Sequence, residues 1–141
     1  NRAFTAFTAR LIGLRRDHPA LRSPTFPHGR HELAADVIEI AWFDEGGAPV
    51  SADAWNNPEQ RTLVLRRAVR LPDGRLPLLT LLLNPTANDR RFVLPPPALP
   101  SRTLIDTAAP DAPEREIEGA ALMVAARSAV LVVADAGEMM P

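Results

Sequence analysis

The chain has 141 residues, a formal net charge of −1, and 46% hydrophobic against 23% charged residues. These values describe one globular domain long enough to bury a core, with no electrostatic basis for binding nucleic acid or an anionic membrane. Cysteine is absent, which excludes disulfides and thiol chemistry; that fits a reducing compartment, and a cytoplasmic location is the expectation.

The first element is an amphipathic helix. At 100° per residue, Phe4, Phe7, Leu11 and Leu14 fall within an arc of about 80°, with Arg10 and Ile12 on opposite flanks. Pro19 removes an amide donor and biases His18 away from the α region, so the helix should end between Arg16 and His18. Burying the four stripe residues is worth roughly 1.5–3 kcal/mol each, so the stripe must face a partner surface. One helix ahead of an all-β region, without a start Met, suggests a piece of a larger protein.

From Asp36 the hydrophobic period changes to two. Ile38, Ile40 and Trp42 share one face, which makes Trp42 a core residue, and Val37, Glu39, Ala41 and Phe43 share the other. The polar stretch from Ala48 to Gln60 reads as a loop. Leu63, Leu65, Val69 and Leu71 share the next apolar face, with Arg66 and Arg70 opposite; Arg67 interrupts it and suggests a bulge. Pro72 to Gly74 is a turn. Residues Leu78 to Leu83 are apolar on both faces, the pattern of a central strand, and Asn84 and Pro85 end it. A short strand over Arg91 to Leu94 precedes an extended, unpaired connection enforced by Pro95, Pro96, Pro97 and Pro100. Short strands follow at Thr103 to Ile105, Leu122 to Ala126 and Ala129 to Ala134, with a polar stretch from Asp111 to Gly119. The expectation is mainly β: an antiparallel β-sandwich of about eight short strands, preceded by one amphipathic α-helix.

Few constellations carry chemistry. His28 and His31 lie three apart but lack the further ligands that zinc needs, and they read as solvent-exposed loop residues. Asp36, Asp44, Glu45, Asp53, Asp106, Asp111 and Asp135 sit mostly at strand ends and turns, where Asp is a turn former. Their spacing brings no particular pair together for glycoside hydrolysis and does not match a calcium loop. Ser128 lacks the elbow of a hydrolase nucleophile. No phosphate loop or dinucleotide fingerprint is present. The composition and motifs therefore give no catalytic residue, no metal site and no cofactor. Trp55, in its polar loop, reads first as a loop anchor or interface residue, and second as a sugar-stacking platform.

The segment from Phe7 to Arg22, reading F-T-A-R-L-I-G-L-R-R-D-H-P-A-L-R, resembles the last barrel helix of glycoside hydrolase family 13, the α-amylase superfamily. The continuation resembles the isoamylase-type glycogen debranching enzymes. It comprises D-V-I-E-I-A-W-F from Asp36 to Phe43, the pair Gly46 and Gly47, and D-A-W-N-N-P from Asp53 to Pro58. Arg61 to Leu63, L-L-L-N ending at Asn84, and L-I-D-T from Leu104 to Thr107 follow in the same order. One departure is the stretch Pro100 to Arg102, where the family often carries an aromatic residue.

The resemblance implies a layout. Residues 1–22 would be the terminal helix of an upstream (β/α)₈ catalytic barrel, residues 33–134 a C-terminal β-sandwich accessory domain, and residues 135–141 a loose tail. In such enzymes the catalytic Asp, Glu and Asp lie at the C-terminal ends of barrel strands, all before the last barrel helix, so none falls in this chain. The parent would be a bacterial enzyme of glycogen catabolism that hydrolyses α-1,6 branch linkages in glycogen or limit dextrin. The implied partner is the upstream barrel of the same polypeptide, met through Phe4, Phe7, Leu11 and Leu14, and α-glucan is met through the parent. The isolated piece would be exposed to self-association through that stripe. Two rivals stand beside this reading: an autonomous α-glucan-binding module using Trp55, and a generic β-sandwich interaction domain.

Overall fold

The computed structural model describes residues 1–137. It is mainly β, with ten strands in antiparallel sheets behind one long helix. Helix α1 spans Arg2–Asp17, with the Asn1 side chain accepting from the Ala3 amide and His18 as an extended C-cap. The stop lies where Pro19 requires it, and Pro19–Leu21 forms a short 3₁₀ turn.

The strands are β1 (Glu32–Ala34), β2 (Val37–Ile38), β3 (Ile40–Phe43), β4 (Leu63–Ala68), β5 (Pro77–Asn84), β6 (Arg90–Val93), β7 (Ser101–Asp106), β8 (Arg115–Ile117), β9 (Ala121–Val124) and β10 (Ser128–Asp135). Six of them form the main sheet in the order β3-β4-β5-β10-β7-β8, while β1 pairs with β2 and β6 with β9. Strand β5 pairs with β4 on one side and β10 on the other, as its two apolar faces require.

Alternation along the strands sorts side chains into two layers. On the inner face Val64, Leu82, Val130 and Val132 meet Phe43 and the β6–β9 ribbon through Phe92 and Val124. Beside them Ala68 and Leu78 pack with Ala34, Val37, Leu76 and Ala136. On the outer face Leu79, Leu131, Val133, Leu104 and Ile105 are covered by Leu14 of α1 and Ala20 of the 3₁₀ turn.

Several expectations change. Arg66, expected on the solvent face, is buried with Val64 and Ala68. Strand β4 runs through Arg67 in unbroken register with both neighbours, so no bulge forms there. The ladder instead shifts between Leu131 and Val132 against β7, which lets the consecutive residues Leu104 and Ile105 both bury in the outer layer. The polar stretch from Asp111 to Gly119 contributes edge strand β8. A one-turn helix α2, Ala52–Trp55, lies inside the expected loop. Asp135 is the last residue of β10 rather than the start of a loose tail. Its Oδ1 accepts from the Leu76 and Gly137 amides, and the Ala136 amide donates to the Leu76 carbonyl; residues 138–141 lie outside the described ones. Among the described residues no helix is long and apolar enough to cross a membrane.

Candidate functional site

The main aromatic surface feature is built from two consecutive elements, β3 and α2. After β3 the chain turns at Asp44, whose Oδ1 accepts from the Gly46 and Ala48 amides. It then folds back along the strand: Asp44 N–H donates to Ala48 C=O, Val50 N–H donates to Trp42 C=O, and Phe43 bridges Pro49. Ser51 caps α2 by accepting from the Ala54 amide. This return path sets Trp55 against Trp42 with ring centroids 5.6 Å apart and planes at 75°.

Trp42 is thus a surface residue, 37% exposed, and its expected core position is corrected. The inner side of β3 belongs to Phe43. Alternation holds through the break at Glu39, since Val37 and Phe43 share a face and are both buried; the core face is that of Val37, Ala41 and Phe43, opposite the one expected. Trp55 is 53% exposed. An edge-to-face pair of this kind leaves part of the Trp55 ring open to a stacking partner, with the polar side chains of Asp53, Asn56 and Asn57 nearby in sequence. The sequence singled out Trp55 and missed its companion.

The helix stripe divides. Leu14 is buried and Phe7 packs against the same outer cluster, while Phe4 and Leu11 are 69% and 42% exposed. Arg10 explains the rotation. Its guanidinium donates to the Leu104 carbonyl at 2.8 Å and to the Pro110 carbonyl at 2.6 Å, across the end of β7. Drawing the Arg10 flank onto the sheet tilts Phe4 and Leu11 outward, on the side of the exposed Ile12.

The titratable groups serve the scaffold. Glu39 accepts from the His28 and Gly29 amides, and the His28 hydrogen bond is the chief cause holding its carboxyl below the usual range. Asp44, Asp106 and Asp135 accept from backbone amides at turns. Glu45 forms a two-pronged ion pair with Arg90. Burial lowers the His18 pKa, and nearby Arg102 adds to that. Ser128 donates to the Ala125 carbonyl. Among the described residues no three of His, Cys, Asp and Glu come together as a metal site would need.

Arg66 is the exception to this local bookkeeping. It is 2% exposed, donates to the carbonyls of Pro96 and Asp36, and lies with its Cζ 4.8 Å from the centre of the Phe43 ring. Its Nε has no partner among the described residues. No sequence signal pointed to it. Compared with protein-family models and with curated protein sequences, the chain gives no match.

Proposed function

We propose that the chain is the non-catalytic C-terminal domain of an isoamylase-type glycogen debranching enzyme. Its work is to pack on and stabilise the (β/α)₈ barrel that hydrolyses α-1,6 linkages with retention, through a covalent glycosyl-enzyme. The ordered motif series, from the Leu11–Arg22 segment to L-I-D-T at Leu104, is the basis of the resemblance. The observation that carries the reading is the half-docked helix. Phe7 and Leu14 hold it to the sandwich, while Phe4, Leu11 and Ile12 keep an apolar flank free for a second surface. A helix serving only this sandwich would have no use for that flank. In the full-length protein, residues upstream of Asn1 should carry a (β/α)₈ pattern with an Asp, Glu, Asp set, and the purified 141-residue chain should release no reducing ends from pullulan or limit dextrin. Branch-point cleavage by a homogeneous preparation, or an upstream region without a barrel pattern, sinks the proposal.

The exposed Trp42–Trp55 pair favours one second reading, an α-glucan-binding module. Affinity electrophoresis in glycogen gels separates the two. Retardation abolished by Trp55→Ala supports the module, and unretarded migration of the parent chain removes it.

A further inference from the structure

The sandwich is not closed along its whole length. Between the inner face of the main sheet and the proline-rich connection after β6 lies a cavity of about 520 Å³, within the size range of small-molecule sites. Leu78, Val132, Leu94, Leu99 and Ile117 line it, and Arg66 forms part of its wall. Ala98 and Ala120 also line it and are exposed, so they stand where the cavity meets solvent.

A guanidinium in such a wall needs a reason. An ionised group taken from water is retained only when paired and hydrogen-bonded. Arg66 has two carbonyls and the face of Phe43, but no carboxylate within ion-pair distance among the described residues. Its buried Nε also lacks an acceptor. Arg10 and Arg70 also donate to carbonyls, but both are half-exposed; Arg67 shares an unpartnered buried Nε but is half-exposed and does not line the cavity.

We propose that this cavity binds a small monocarboxylate with an apolar tail. The tail fills the space among Leu78, Leu94, Leu99 and Val132, and the carboxylate accepts from Arg66. A guanidinium supplies the directed, charge-assisted donors that a carboxylate takes. The inference stands apart from the debranching reading, since it concerns the interior of the sandwich and not the helix flank or the tryptophans.

The test is calorimetric titration of the whole chain with decanoate below its micelle concentration, with 1-decanol as the neutral isostere. Decanoate should saturate one site, and decanol should bind at least about tenfold more weakly, the loss expected when one charge-assisted contact is removed. Ala120→Trp, at the exposed mouth, should abolish binding without unfolding the chain. Arg66→Met should erase the preference for decanoate over decanol. If that variant does not fold, the decanoate and decanol comparison and Ala120→Trp still decide. Absence of saturable binding, equal affinity for acid and alcohol, or binding untouched by Ala120→Trp overturns the proposal.

Discussion

A single amide holds three parts of the sandwich together. Asn84, at the end of β5, is buried, and the two hydrogens of its Nδ2 are divided among the carbonyls of Asn88, Val124 and Ala125, one of them shared. Its Oδ1 accepts from the amide and hydroxyl of Thr86. The main sheet, the turn before β6 and the end of β9 are thereby joined. Asn84→Ala orphans buried carbonyls and should cost about 2–3 kcal/mol, at about 1–3 kcal/mol per unsatisfied buried group. Asn84→Asp should cost at least as much, because it faces those carbonyls with an acceptor in place of a donor. Urea unfolding measures both; a loss for Ala indistinguishable from zero would mean that water replaces the amide freely. None of this is visible in the local pattern, where Asn84 reads as the end of a strand. Arg66 was equally illegible. An arginine on an alternating strand reads as the solvent side, because charged side chains are rarely buried, and only the tertiary positions of Pro96 and Asp36 supply the carbonyls that permit its burial.

At the scale of elements, periodicity identified the helix and its ends, since the stripe and the His18–Pro19 stop are local properties. It did not identify which side of the stripe docks, because the Leu104 and Pro110 carbonyls that capture Arg10 are distant in sequence. The asymmetry is measurable. Leu14→Ala removes a buried side chain from the outer cluster and should cost about 2–4 kcal/mol. Leu11→Ala touches an exposed flank and should cost under about 1 kcal/mol. Equal losses in chemical denaturation would place the docked face at the centre of the predicted stripe. Strand β3 teaches the complementary lesson. Its alternation was legible, but its phase was inverted at Trp42, because the sheet edge buries Phe43 on the ribbon side and leaves Trp42 to the returning 48–55 segment.

For the molecule as a whole, the class was legible and the wiring was not. Short alternating runs between turn residues identify antiparallel β structure, but nothing local announces that β10 inserts between β5 and β7. That insertion puts β10 at the centre of the sheet and binds it to the first helix, since α1 packs on Leu131 and Val133. The pH response belongs to this scale too, because it sums over groups spread along the chain. Glu39 fixes the loop at His28 and Gly29. Asp17 and Asp73 are held below the usual range chiefly by hydrogen bonds from Arg16 and Arg75. For a carboxyl lowered in the folded state, the stabilisation is present above its unfolded pKa and is lost as pH falls through the folded one. His18 is lowered mainly by burial. Folding disfavours its charged form, so its penalty begins as pH falls below its unfolded value of about 6.5. All four effects have the same sign. Stability should therefore be level just above neutrality and fall on acidification in two stages, first through His18 and then, below about 4.5, through the carboxyls. His18→Asn should remove the first stage and leave the second. Urea midpoints measured from pH 8 to pH 3 test this, and a first stage that survives in His18→Asn would mean that another group carries it.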